Sequence, residues 1–112
     1  MQKKTNKSIF LEYLGDTPQL RILDFLIDNS MFDYPVTQIA REAEVSYNSL
    51  KNIFPSLINA GIVKKTRKIG KSYYYQTNLN NEFIKNLSKL DWALTKQVSL
   101  NSSEQSPRKA IN

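Results

Sequence analysis

The segment "VTQIAREAEVSYNSLKNIFPSLINAG", residues 36–61, constrains the fold more than any other. Val36, Ile39, Ala40 and Ala43 repeat at helical spacing over about two turns. Only "AEVS" then intervenes before a second helical stripe of Leu50, Ile53, Phe54, Leu57 and Ile58 begins. Ser46 is placed to cap this second helix, Val45 is the apolar residue that a tight turn would direct inward, and Gly61 supplies a stop. Two helices joined by a tight turn are therefore predicted. Pro55 interrupts the second stripe; it removes the hydrogen bond to the Lys51 carbonyl and predicts a kink or break there.

The flanking segments add three further helices and a hairpin. "DTPQLRILDFLIDN" reads as a core helix, with Thr17 as its cap, Pro18 at the first helical position, and Leu20, Leu23, Phe25, Leu26 and Ile27 on its apolar side. Before it, "SIFLEYLG" has the spacing of a short helix ending at Gly15, with a short strand as the alternative. After it, "SMFDYP" reads as a loop whose Phe32 and Tyr34 plug the core from below. Beyond Gly61, residues 63–67 and 72–77 read as two strands of a hairpin, turned through "KIGK", where Gly70 can take the positive φ that a tight hairpin requires. Alternation sends Tyr73 and Tyr75 to one face and Tyr74 to the other. Finally, "NEFIKNLSKLDWALTKQ" carries Phe83, Leu87, Leu90 and Leu94 in the spacing of a two-helix seam.

These elements fit one domain of 8–97, mainly α with a small β-hairpin and an additional C-terminal helix at about 80–97. Residues 1–7 read as a flexible basic arm and 98–112 as a disordered tail. No apolar run approaches the roughly 20 residues of a membrane span, and the first residues lack the apolar stretch of a secretory signal. The expectation is a cytoplasmic, soluble protein.

The absence of cysteine and histidine removes disulfides, thiolate metal sites, the commonest general base and most nucleophilic chemistry. Charge is distributed unevenly. Between Ser8 and Glu44 seven carboxylates face only Arg21 and Arg41, a local charge of −5. Between Val45 and Asn81 there is no carboxylate at all, and Lys51, Lys64, Lys65, Arg67, Lys68 and Lys71 give +6. Such separation points to one face built for a polyanion.

The order of helix, short helix, tight turn, capped helix, basic hairpin and terminal helix resembles a winged helix-turn-helix DNA-binding domain. The likeness is to the arsenic-repressor-like or MarR-like transcriptional regulators common in archaea. The residues that carry it are Ile39-Ala40, Val45-Ser46, Leu50, Leu57, Gly61-Ile62-Val63 and the lysine-rich wing. The resemblance implies that the second helix of the turn motif enters the major groove of double-stranded DNA while the wing straddles phosphates. It assigns Ser46, Tyr47, Asn48, Ser49, Lys51 and Asn52 to the recognition helix. It assigns Lys64, Lys65, Arg67, Lys68 and Lys71 to the wing.

The chemistry of these residues agrees. Asn48 and Asn52 stand one helical turn apart, and an asparagine amide can pair with adenine N6 and N7. The recognition helix has no arginine, which argues against a G-rich site. The tyrosines of the wing are read as anchors to the core rather than as a stacking platform, and Phe32, Tyr34 and Trp92 as core or interface. A homodimer through Phe83, Leu87, Leu90 and Leu94 would set two recognition helices roughly 34 Å apart, one turn of DNA. No cofactor is expected, and metal sensing of the arsenic-repressor kind is in doubt without cysteine and histidine.

Two other functions compete with this reading. The domain could be an architectural or partition DNA-binding protein, or a protein-interaction module, without strong sequence preference. A nuclease using Asp24, Asp28 and nearby Asp33 is disfavoured, because those carboxylates fall on the acidic half, away from the basic wing.

Overall fold

Side-chain caps start most of the helices in this computed structural model, which describes residues 8–105 and, within them, side chains as far as residue 100. Ser8 accepts the Leu11 amide at the start of α1, Ile9–Leu14. Thr17 accepts the Leu20 amide before α2, Pro18–Asp28, and Ser46 the Ser49 amide before α4, Tyr47–Asn59. Asn81 does the same for α5, Glu82–Gln105, by accepting the Ile84 amide at 3.0 Å. Each oxygen satisfies an amide that the first turn would otherwise leave without a partner. The exception is α3, Val36–Ala43, where Pro35 occupies the cap position and provides no side-chain bond.

Between α3 and α4 the chain reverses through Glu44, a non-glycine residue with φ at 60°. A left-handed conformation costs an ordinary residue about 1 kcal/mol. Arg21 holds the strained corner in place: its Nη1 donates to the Glu44 carbonyl at 2.7 Å while its Nε and Nη2 grip the Asp16 carboxylate. The turn between the two helices is thereby tied to the start of α2.

Ile22, Leu23 and Leu26 of α2, Ile39, Ala40 and Ala43 of α3, and Leu50, Phe54 and Leu57 of α4 form the core, closed by Ile62, Val63 and Ile84. Each helix contributes residues three or four apart, the faces that the apolar spacing predicts. The predicted stripe of α4 holds except at Ile58, which is 41% exposed on the outer side of the helix. Pro55 does not break α4, which runs on to Asn59. Phe54 and Leu57 on either side are buried and hold both turns against the core, while Lys51, whose carbonyl loses its partner, lies at the solvent face, where water can replace the lost bond.

The hairpin is longer than predicted and joins a third strand. Strand β2, Val63–Ile69, pairs antiparallel with β3, Ser72–Thr77, through a turn at Gly70–Lys71 with Gly70 at φ 61°. The segment predicted as a loop supplies β1, Tyr34–Pro35, on the other side of β3, so the sheet order is β1-β3-β2. A strand this short gives no periodic signal in sequence. Tyr34 packs edge-on against Phe25 with centroids 5.1 Å apart, but Phe32 does not plug the core; it is 67% exposed beside Met31. The α2–β1 turn carries it outward.

Helix α5 also exceeds its predicted span of 80–97, continuing to Gln105 through part of the segment expected to be disordered. Its core residue is Ile84, fully buried, rather than Phe83. Leu87 packs partly on the core and Leu94 is half-buried, while Phe83 and Leu90 remain exposed. The predicted seam is thus divided between a face turned to the domain and one turned to solvent. Trp92, expected in core or interface, is 64% exposed in the single chain. The basic arm of 1–7 and the last part of the tail, 106–112, lie outside the described residues. Among the described residues no helix is long and apolar enough to cross a membrane.

Candidate nucleic-acid interface

The start of α4 and one face of the hairpin border a common cleft of about 210 Å³, lined by Val36, Thr37, Tyr47, Lys71, Tyr73 and Tyr75 among others. Tyr75 fixes the two walls relative to each other: its ring meets Phe54 of α4 edge-on at 5.0 Å. Residue types on this cleft suit an anionic chain: Thr37 and Tyr47 carry hydroxyls and Lys71 an ammonium. Thr37, in the first turn of α3, is a contributor that sequence reasoning missed. Its position beside the wing follows from the pairing of β1 with β3, which periodicity does not reveal.

Along α4 the six predicted residues divide by what their side chains do. Ser46 and Ser49 are bonded to one another, hydroxyl to hydroxyl at 3.0 Å, in addition to the cap bond, so both serve the start of the helix. Tyr47, Asn48, Lys51 and Asn52 are exposed. The Lys51 ammonium lies 5.7 Å from the centre of the Tyr47 ring, one turn earlier. Asn48 and Asn52 share the outer face, and among the described residues neither amide has an intramolecular hydrogen bond.

In the wing, a bulge decides which cations stand together. The pairing shifts between Lys65, opposite Tyr75, and Arg67, opposite Tyr74, leaving Thr66 as the extra residue. Residues directly opposite one another share a face. Lys65 and Lys68, which strict alternation would place on opposite faces, therefore both lie on the side of Tyr73 and Tyr75. Their ammonium groups stand 4.1 Å and 5.2 Å from the centre of the Tyr73 ring. Tyr73 is 42% exposed and acts as a platform for lysines; only part of the aromatic strand, chiefly Tyr75, anchors to the core.

Arg67 differs in its surroundings from the lysines of the wing. It lies on the opposite face with its guanidinium 4.7 Å from the Tyr74 ring, and it forms a two-bond ion pair with Asp33, both N–O distances being 2.9 Å. The hairpin has no acid of its own, but the fold brings one to it from the α2–β1 loop. Lys64, Lys65, Lys68 and Lys71 remain exposed and make no ion pair among the described residues.

The carboxylates weighed for a nuclease are dispersed differently. Asp33 is engaged by Arg67 and Thr66, in that order of effect, which holds its carboxyl below the ordinary range. Asp24 and Asp28 instead approach Asp91 of α5. Desolvation first, then the charges of Asp24 and Asp91, push the Asp28 carboxyl up to about 6. Among the described residues no group of three or more carboxylates is arranged to hold a metal ion.

No protein-family model matches the sequence, and no curated protein matches it. Solved structures do. The AntR antimony-specific transcriptional repressor superposes with a TM-score of 0.58 at 17% identity, over 82% of this chain and 78% of its own. A MarR family protein of Mycobacterium tuberculosis, Rv2887, solved in complex with salicylic acid, matches 92% of this chain and 73% of its own at 20% identity with a TM-score of 0.46. The element order, the three-stranded sheet and the likeness to AntR together establish that this chain adopts the winged helix-turn-helix fold.

Proposed function

We propose that this protein is a sequence-specific double-stranded DNA-binding transcriptional regulator, with α4 in the major groove and the wing on the flanking phosphates. The observation that carries the reading is the cleft between α4 and the wing. Tyr47 at the start of α4 lines it on one side and Lys71 and Tyr73 of the wing on the other; Asn48 and Asn52 are exposed further along α4, Lys65 and Lys68 stand by the Tyr73 ring, and the sequence from Val45 to Asn81 has no carboxylate. Asparagine amides suit the donor and acceptor pair of adenine, and clustered lysines suit phosphate. Tyr47 and Lys51 would contact the groove edge, while Ser46 and Ser49 fix the helix start.

The same reading includes a homodimer, as a two-fold-symmetric site requires. The exposed residues Phe83 and Leu90, seven positions apart on one face of α5, supply apolar surface for a second copy. Likeness of fold to a transcriptional repressor supports the class of function and leaves the operator to experiment.

The test is selection of bound sequences from a random duplex pool at physiological salt, repeated with Asn48→Ala and Lys68→Ala. A shared motif that changes in the first variant, with uniform weakening in the second, is the expected result. Equal affinity for all duplexes would instead identify an architectural DNA binder, and no affinity would leave a protein-interaction module.

A further inference from the structure

Asp33 is 17% exposed and is held from several directions. It receives Nε and Nη2 of Arg67 and the hydroxyl of Thr66, the bulge residue of β2. The Thr66 hydroxyl also lies 3.3 Å from the Tyr74 carbonyl. Just upstream, the Ser30 carbonyl of the same loop accepts a bond from Gln76 Nε2 at 3.0 Å. The α2–β1 loop is therefore fastened to both strands of the hairpin. Arg67 has one edge on Asp33 and one face near Tyr74, on the side of the sheet away from Lys65, Lys68 and Tyr73. A phosphate that captured Arg67 would have to displace it from two parallel bonds to Asp33.

We propose that Asp33 is a positioning residue for the wing: through Arg67 and Thr66 it fixes the hairpin against the domain and withdraws the guanidinium from DNA, leaving the lysines to bind phosphate. Its consequence for affinity rests on the DNA-binding reading; its consequence for the rigidity of the hairpin does not. Thr66 is suited to this role because the bulge frees it from regular pairing, so its hydroxyl can reach the carboxylate. An arginine rather than a lysine is required because only the planar guanidinium can make two parallel bonds to one carboxylate while stacking on a ring.

The experiment uses the full chain with Asp33→Asn, Arg67→Gln and the double variant, at a temperature where all are folded. Amide hydrogen exchange of β2 and β3 is measured without DNA, and affinity for a duplex over a range of salt is measured beside it. The expected result is faster exchange in both single variants and affinity about fivefold lower in each. The double variant should be no worse than either single, and the salt slope should stay at the wild-type value. Arg67→Lys should recover only part of the loss. Unchanged exchange in Asp33→Asn overturns the proposal, as does a salt slope reduced by about 0.9 in Arg67→Gln, the mark of a lost phosphate contact. Tighter DNA binding by Asp33→Asn also overturns it. If the wild-type protein binds no duplex, the DNA-binding reading fails while the exchange measurement still decides whether Asp33 holds the hairpin.

Discussion

The buried hydroxyl of Thr77 donates to the carbonyl of Leu26 at 2.7 Å, joining the end of β3 to the last turn of α2 across 51 positions of sequence. This bond seats the base of the wing on the core helix, and it satisfies the one polar side chain among the described residues that is buried with the apolar core. Thr77→Val keeps the shape and removes the donor. It should lower stability by about 1–2 kcal/mol, read as a shift of the urea midpoint with little change in slope.

Ile84 and Phe83 are adjacent and opposite in role. Ile84→Ala opens a cavity beneath the start of α5 and should cost about 2–4 kcal/mol in chemical unfolding. Phe83→Ala, at a half-exposed position, should leave the isolated domain much less affected. Equal losses would show that the domain-facing side of α5 has been misidentified.

The outer face of α5 should govern self-association. Phe83→Lys combined with Leu90→Lys places two charges seven residues apart on one exposed face and should convert a dimer to monomers in light scattering, with helix content by circular dichroism retained. A monomeric wild-type protein at micromolar concentration would remove the dimer from the mechanism.

Tyr73 should matter to the wing through its ring and not its hydroxyl. Tyr73→Phe keeps the platform for Lys65 and Lys68 and should bind DNA as the wild type does. Tyr73→Leu should weaken binding about two- to fivefold, the equivalent of 0.5–1 kcal/mol for a cation near an exposed ring. The salt slope should be unchanged, since both lysines remain. A loss in Tyr73→Phe equal to that in Tyr73→Leu would make the hydroxyl the contact.

Acid should stabilise the contact between α2 and α5. The Asp28 carboxyl rises from 3.8 to about 6 in the folded chain, so the folded state binds the proton more tightly than the unfolded one. Stability from this group is therefore gained as pH falls through about 6 toward 4 and lost as pH rises. Asp28→Asn should be more stable than the wild type at pH 7, by about 1 kcal/mol once solvent screening of the exposed side chain is allowed for. The difference should close near pH 4. A thermal melt of both proteins across this range tests the sign, and a constant difference at all pH values would exclude Asp28 as its source.

Local chemistry and period made much of this protein legible in sequence. Thr17 and Ser46 begin helices because the partner amide lies three residues away, and the apolar spacing of Ile39, Ala40, Leu50, Phe54 and Leu57 records which helix faces meet. Gly70 marks the hairpin tip because positive φ is a property of the residue itself. The candidate DNA-contacting residues of α4 are implied by the resemblance to winged helix-turn-helix domains; the short-range signals give only their place on an exposed helix face. Tertiary structure decided what depends on residues far apart in the chain. Pairing with β3 creates β1, the bulge at Thr66 puts Lys65 and Lys68 on one face, and a loop more than thirty positions upstream supplies the carboxylate that claims Arg67. It also chose Ile84 over Phe83 for the core, because the direction from which α5 approaches the domain is set by the packing of other elements and leaves no trace in the period of its own sequence.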